Sequence, residues 1–302
     1  MSGDVSLAAP ERDEKLAVQA AAQATSPVVR TVAVGMDAGD YTETVTCDYT
    51  PVYVDDRFGG YCYVLDDAAI AEKWVEAMNY EGKYAELLGL ESDTVTDGDT
   101  ETVTVDGADI AATYGETYYT ANGRCFYAPD GVYALDGEVV LPLADLEKIF
   151  GVTAVLSEDH TSLRVDASEQ ALLESGESYY GARDVYWLSH IINAEAGNQP
   201  MDGQIAVGNV VLNRVADERF PNSVKEVVFD RRGGVAQFSP TADGRISLTP
   251  DEDAELAAKL AFEGYDPVGE SLYFINPSAC NASWFNSRLT YTATIGDHVF
   301  YA

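Results

Sequence analysis

The segment Gln204–Val215 is apolar on nearly all sides of a helix. A helix without a polar face belongs inside a protein, so this pattern predicts a buried central helix. The stretch before it, Ala196–Gly203, contains two glycines and a proline and predicts a turn-rich break in the chain. These two features constrain the C-terminal part of the chain to a core that is built around one helix.

A second helix is predicted immediately before the break, and it carries an acidic residue on its apolar side. Leu188, Ile191 and Ile192 repeat at i, i+3 and i+4, and Glu195 follows at i+7 on the same side. Burial disfavours an ionised carboxylate, so we expect the pKa of Glu195 to be raised. A carboxyl group that holds its proton near neutral pH is suited to general acid catalysis. The alternative is a structural glutamate that pairs with an arginine or caps a neighbouring helix.

Several short segments after residue 184 carry a resemblance to a known family. In chain order they are Ala194–Ala196, Gly203–Val207, Val210–Val215, Phe220–Pro221, Gln237–Ser239, Leu272–Phe274 with Asn276–Pro277, and Thr294–Tyr301. Together they resemble the spore cortex-lytic enzyme and cell wall hydrolase family, over about 40% of the chain. The resemblance implies an α+β fold. Small β-rich modules with short helices would precede a lysozyme-like catalytic domain at the C-terminus.

The same resemblance implies that the chain cleaves peptidoglycan glycan strands between N-acetylmuramic acid and N-acetylglucosamine. It makes Glu195 the catalytic general acid and base, and it favours a lytic transglycosylase, which uses one carboxylate and no water. The sequence fits a mechanism with one carboxylate, because no other acidic residue lies on an apolar helix side as Glu195 does. Asp202 lies in the polar break, Asp243 in an Ala-Asp-Gly turn, and Asp297 just before the final strand. Ordinary glycosidases use two carboxylates.

Three alternatives stay open. The first is a muramidase that uses water, and the second is an N-acetylmuramoyl-L-alanine amidase that cuts the peptide stem. The amidase is disfavoured because His190 and Glu195 do not have the His-Glu-x-x-His spacing of a zinc site. The third is a wall-binding protein without catalytic activity.

Polar and aromatic residues in the matching segments are candidate substrate contacts. Gln237, Phe238 and Ser239 offer an amide, an aromatic face and a hydroxyl group to a sugar that carries N-acetyl groups. Further candidates for stacking and hydrogen bonding are Tyr273, Asn276, Trp284 and Tyr301. The same aromatic residues also fit an ordinary core, and His298 is expected to pack within the last strand.

The N-terminal part reads as strand-rich, with period-two alternation in Thr31–Val34, Thr42–Cys47 and Pro51–Val54 and a helix predicted over Asp66–Tyr80. Residues 103–166 resemble the copper amine oxidase N-terminal-like module, a small sheet with a helix entered at Pro142–Leu143. That resemblance implies wall attachment or presentation, without copper binding. The predicted domains are a flexible leader (1–30), a small mixed α/β module (31–98), the copper amine oxidase-like module (99–168), a linker (169–180) and the catalytic domain (181–302).

Composition limits the partners and cofactors. The net charge is −33, with 35 acidic and 10 basic residues before position 184, so no basic surface is available for nucleic acid. No apolar run approaches 18 residues, so no membrane span is expected. The N-terminus lacks an apolar signal core, yet the resemblance implies an extracellular or wall-associated protein.

Cysteine and histidine spacing predicts neither a metal site nor a cofactor. The histidines His160, His190 and His298 are far apart, and no Cys-x-x-Cys occurs. The disulfide state of the four cysteines stays open, although Cys47 and Cys62 could bridge two neighbouring strands; the cysteines are Cys47, Cys62, Cys125 and Cys280.

Overall fold

The structure, a computed structural model, describes residues 28–34, 41–65, 78–80, 85, 88–135, 138–157, 162–279 and 283–302. Contacts divide the chain into two compact units. The first comprises Met1–Asn122 and Ala128–Glu174, and the second comprises Gly123–Tyr127 and Ser175–Ala302. Helices and several small sheets occur together, which confirms the predicted α+β class.

The first unit consists mainly of strands. They are β1 (Val28–Val34), β2 (Tyr41–Val54), β3 (Arg57–Leu65), β4 (Met78–Tyr80), β5 (Ser92–Asp97), β6 (Thr100–Val105), β7 (Ala108–Thr113), β8 (Tyr118–Ala121), β10 (Tyr133–Leu135), β11 (Glu138–Pro142), β12 (Thr153–Leu156) and β13 (Leu163–Asp166). Helix α1 (Leu143–Phe150) follows β11. One sheet has the order β12-β13-β2-β1-β10-β11-β4, with β3 also paired to β2, and β5 to β8 form an antiparallel meander.

Several expectations for this part can be compared with the structure. Helix α1 begins directly after Pro142, as predicted, and buries Leu146, Ile149 and Phe150. The helix predicted over 66–80 lies outside the described residues except for Met78–Tyr80, which form a strand. The leader predicted over 1–30 also lies outside them, except that Val28 begins β1. In β2 and β3, Cys47 is opposite Leu65 and Cys62 is opposite Thr50, so the two cysteines are not opposite each other in the backbone register.

The second unit is mainly helical at its core and ends in a small sheet. Its helices are α2 (Gly176–Tyr179), α3 (Ala182–Ala196), α4 (Met201–Ala216), α5 (Val224–Val228), α6 (Pro240–Asp243), α7 (Glu252–Glu263) and α8 (Ser283–Arg288), with a 3₁₀ turn at Arg245–Ser247. Its strands are β9 (Arg124–Tyr127), the β14 (Arg231–Arg232) and β15 (Val235–Ala236) hairpin, and the sheet of β16 (Tyr273–Ile275), β18 (His298–Tyr301) and β17 (Tyr291–Ile295).

Helix α4 lies at the centre of this core, as the sequence predicted. Every residue from Gly203 to Val211 is buried, and α4 packs against α3 and α7. Gly208 allows this close approach, because a Cβ atom there would lie 3.1 Å from Ile192 Cδ1 and 3.2 Å from Ala261 Cβ. The helix begins at Met201, three residues earlier than predicted, so Asp202 lies in its first turn rather than in a loop.

Strand β9 belongs to the second unit although it lies far upstream in the sequence. Cys125 is 4% exposed within the hydrophobic core of that unit. Arg124 donates two hydrogen bonds to the carboxylate of Glu263 at the end of α7, and the Tyr127 hydroxyl donates to Asp202. The domain boundaries predicted from sequence stay a prediction.

In the part of the chain that the structure describes, no helix is both long enough and apolar enough to cross a membrane.

Candidate active site

Glu195 is the penultimate residue of α3, where it extends the apolar side of that helix. Leu188, Ile191 and Ile192 on this side are fully buried, and Glu195 is half-buried at the helix end. The local sequence periodicity therefore placed this carboxyl group correctly, between the hydrophobic core and the loops that follow it.

The environment of Glu195 raises the pKa of its carboxyl group to about 7. Loss of hydration is the main cause, as the sequence predicted. The positive charge of Arg245 acts in the opposite direction, as does a hydrogen bond donated by the backbone N–H of Ser239, while the negative charge of Asp243 raises the pKa further. Near neutral pH, Glu195 can both hold and release a proton.

A loop between the β14–β15 hairpin and α7 brings these partners to Glu195. The backbone N–H of Gln237 donates to the carbonyl of Asp230 at 3.0 Å and closes the base of the hairpin. Gly244 adopts a φ of 91°, which reverses the chain after α6 and leads it into the 3₁₀ turn. One hydrogen bond, 2.8 Å long, joins His190 Nδ1 of α3 to the carbonyl of Ile246. The loop is thereby held against the end of the helix that carries Glu195.

Of the three adjacent residues predicted to contact substrate, Ser239 interacts with Glu195 through its backbone N–H, and its side chain is exposed. Gln237 is half-buried, and its side chain lies 3.4 Å from the carbonyl of Val235. Phe238 is only 2% exposed and packs near Phe274, with ring centroids 6.3 Å apart. The burial of Phe238 favours a role in packing over a direct contact with sugar.

The other candidate contacts are divided between the core and the surface. Tyr301 is 2% exposed and donates a hydrogen bond to Asn286, so it too favours a packing role. Tyr273 lies opposite Tyr301 in the sheet and is half-buried. Asn276 accepts a hydrogen bond from the backbone of Ser278, and Trp284 on α8 is 48% exposed. The structure gives Trp284 a surface that could stack on a sugar ring.

His298 packs within the last strand, as expected. It is 5% exposed between the rings of Phe274 and Phe300, and burial lowers its pKa.

Arg214, near the end of the central helix α4, lies close to the aromatic rings of Phe238 and Tyr273. Its guanidinium group is 4.9 Å from the ring centroid of Phe238 and 5.5 Å from that of Tyr273. Its Nε donates to the carbonyl of Leu272 at 2.8 Å, while burial lowers its pKa to about 10. Arg214 therefore links helix α4 to the Phe238 loop and to strand β16.

Arg245 is the main site residue that sequence reasoning missed. Its side chain contacts both the helix and the loop around Glu195, although it lies 50 residues away in the chain. The sequence signal was the Asp243-Gly244-Arg245 turn, whose charged residues resembled an ordinary solvated loop. Among the described residues, no group of three or more His, Cys, Asp or Glu side chains is placed to hold a metal ion.

Comparison with known protein families gives a match in this unit. Residues 198–301 match the family model described as Cell Wall Hydrolase. The match covers the central helix, the Phe238 loop and the C-terminal sheet, and begins just after Glu195. The C-terminal part of the chain is a cell wall hydrolase domain, which confirms the resemblance found in the sequence.

Curated relatives match over the same part of the chain. A spore cortex-lytic enzyme from Bacillus cereus is 38% identical over 121 residues, which are 40% of this chain and 45% of that protein. Spore cortex-lytic enzymes from Oceanobacillus iheyensis and Bacillus subtilis (strain 168) are each 36% identical over 121 residues, covering 42% and 38% of their lengths. The chain therefore spans less than half the length of these relatives.

Among solved structures, the catalytic domain of the germination-specific lytic transglycosylase SleB from Bacillus anthracis is 36% identical. The match covers 41% of this chain and 97% of that one, with a TM-score of 0.37.

Proposed function

We propose that this protein cleaves the glycan strands of peptidoglycan with Glu195 as its general acid and base. The observation that supports this most strongly is the position of Glu195 three residues before the segment that matches the Cell Wall Hydrolase family, with a carboxyl pKa raised to about 7 by burial. Catalytic acids need a pKa near the working pH, because they must carry a proton and also give it up. The relatives named spore cortex-lytic enzymes support peptidoglycan as the substrate.

The chemistry that fits one such carboxyl group is lytic transglycosylation. Protonated Glu195 donates its proton to the glycosidic oxygen as the bond from C1 of N-acetylmuramic acid to N-acetylglucosamine breaks. The resulting carboxylate then removes the proton from the 6-hydroxyl of the same muramic acid while that oxygen bonds to C1. The products are a 1,6-anhydro end and a free 4-hydroxyl group, and Glu195 regains its proton without the use of water.

Asp243 gives a specific reason to retain a hydrolytic muramidase as the second candidate. It lies near enough to raise the pKa of Glu195, while its hydrogen bonds with Arg245 lower its own pKa. A protonated and an ionised carboxyl group in one site is the arrangement of glycosidases that use two carboxylates. Asp243 is, however, already paired with Arg245.

Product analysis tests the proposal and separates these candidates. The full chain is incubated with purified peptidoglycan, whose glycan strands still carry their peptide stems, with and without EDTA, and the products are identified by mass spectrometry. We expect 1,6-anhydro ends in both conditions. Reducing ends would favour the muramidase, whereas freed peptide stems whose release EDTA abolishes would show an amidase. No reaction with glycan strands or intact wall would contradict the proposal.

The pH dependence of cleavage should follow the ionisation of Glu195. Since the general acid must be protonated, kcat/KM should be level below pH 7 and fall as the pH rises through about 7. Well above this value, the loss should approach about tenfold per pH unit, as expected for one ionisation. The measurement is the rate on short soluble glycans across pH 5 to about 9. A fall in kcat/KM centred near pH 4 would contradict the assignment of Glu195 as the general acid.

We further propose that the protein acts outside the cytoplasm, on the cell wall or the spore cortex. This follows from the location of peptidoglycan, the only substrate class that the site and the relatives support together.

A further inference from the structure

Arg245 joins three structural elements around Glu195. Its Nη1 donates to the carbonyl of Ala194, the residue before Glu195, at 2.7 Å. Its Nη2 lies 3.2 Å from the hydroxyl oxygen of Ser239. The backbone N–H of the same serine donates a hydrogen bond to the Glu195 carboxylate. Its Nε donates to Asp243 at 3.0 Å. One side chain therefore fixes both the helix end that carries Glu195 and the loop that faces it.

The position of Arg245 at the end of α3 has an electrostatic consequence. The last carbonyl groups of a helix lack partners within it and carry a partial negative charge. This charge disfavours an ionised Glu195, and the guanidinium group offsets it by bonding to the Ala194 carbonyl. Arg245 therefore stabilises the carboxylate that remains after proton donation.

Asp243 has the opposite effect on the same carboxyl group, because its negative charge raises the pKa that Arg245 lowers. The charges that influence Glu195 are Arg245 from the 3₁₀ turn and Asp243 from α6, beside the backbone N–H of Ser239. On α3 itself, His190 lies five residues earlier, with its Nδ1 bound to the Ile246 carbonyl. The Arg245 and Asp243 side chains are 46% and 47% exposed, so water screens their influence and the effect of each is modest.

We propose that Arg245 is a positioning residue for Glu195, and that the negative charge of Asp243 opposes the charge of Arg245 at that carboxyl group. In this role Arg245 sets the orientation and the acidity of the catalytic carboxyl group without touching the reacting atoms. The inference rests on the proposed function only for its effect on cleavage, because its effect on the ionisation of Glu195 is independent of any substrate.

The test measures the ionisation of Glu195 directly in the full-length protein. The ¹³C chemical shift of the Glu195 side-chain carboxyl is followed against pH, with the resonance assigned by its absence in Glu195→Gln. Loss of the positive charge in Arg245→Gln should move the titration to higher pH, and Asp243→Asn should move it to lower pH. We expect shifts of about 0.2 to 0.7 pH unit for half-exposed charges. Arg245→Lys should remain close to the wild type, because it keeps the charge.

The rate of glycan cleavage supplies the second measurement. The alkaline limb of kcat/KM should move in the same direction as the titration, and Arg245→Gln should lose roughly tenfold in kcat. Arg183→Gln is the matched control, because it removes a positive charge from the exposed start of the same helix. It should leave both the titration and the rate unchanged.

Distinct outcomes separate this inference from the proposed function. If the wild type cleaves no glycan but the titration shifts as expected, the proposed function fails and the positioning role stands. Unchanged titrations in both Arg245→Gln and Asp243→Asn would overturn the positioning role. It would also be overturned if Asp243→Asn abolished cleavage without moving the titration, because Asp243 would then be a second catalytic carboxylate. If Arg245→Gln does not fold, Arg245→Met, which keeps most of the side-chain volume without the charge, replaces it in both measurements.

Discussion

Replacing Glu195 with glutamine should reduce glycan cleavage by at least about 10²–10⁴-fold, the usual contribution of general acid catalysis. Glutamine has nearly the same size but can neither donate nor recover a proton, and in the proposed reaction one group performs both steps. The measurement is kcat on purified glycan strands at pH 6, where the wild-type carboxyl group is mostly protonated.

The fold of this variant should be at least as stable as the wild type. Because the folded-state pKa of Glu195 is raised, its contribution to stability is full below its unfolded pKa and is lost as the pH rises through about 7. At pH 8 the variant should therefore resist urea better than the wild type. Glu270→Gln, in the exposed turn before β16, is the matched control and should change neither the rate of cleavage nor the stability of the fold. Near-normal turnover by Glu195→Gln would refute the assignment.

Replacing Arg124 with leucine should destabilise the second unit by roughly 3 to 5 kcal/mol, the cost of removing one partner from a buried ion pair. The side chains of Arg124 and Glu263 are 7% and 6% exposed. The guanidinium group makes two hydrogen bonds to the carboxylate, at 2.7 and 2.6 Å, and lies 3.5 Å over the ring of Tyr179. Leucine leaves a buried carboxylate that has lost both of these bonds.

Urea unfolding followed by tryptophan fluorescence measures this change, since Trp187 and Trp284 lie in the second unit. Arg219→Leu is the matched control, because the pair of Arg219 with Asp217 lies in the same unit, is 61% and 22% exposed, and should contribute about 1 kcal/mol or less. Equal losses of unfolding free energy in the two variants would show that burial does not increase the contribution of the Arg124–Glu263 pair. Arg124→Lys should give an intermediate loss, because it keeps the charge without the paired donors.

The parts of the site that depend on local sequence were predictable. The spacing of Leu188, Ile191 and Ile192 defined the buried side of α3, and Glu195 could be placed on that side by counting residues. The raised pKa followed from burial alone. The start of α4 was predicted too late because Pro200 was assigned to the break, whereas proline is well suited to the first positions around a helix start.

The parts that depend on distant contacts were not predictable. Arg245 bonds to a carbonyl 51 residues earlier, and no sequence pattern indicates which exposed arginine does so. Aromatic side chains such as Phe238 and Tyr301 suit sugar binding and core packing equally. Only their burial in the structure distinguishes between these two roles. Strand β9 looked like part of the preceding module, because its association with α7 depends on residues 139 positions later.

This separation of β9 from its partners affects how the unit forms during synthesis. Arg124 leaves the ribosome well before Glu263, and at about 5–20 residues per second the interval between them is roughly 7–28 s. Residues 128–174, which belong to the other unit, emerge in between and have time to fold first. The order of assembly therefore differs from the order of the chain: the second unit cannot complete its core until α7 has been synthesised, although its first strand emerges before residues 128–174.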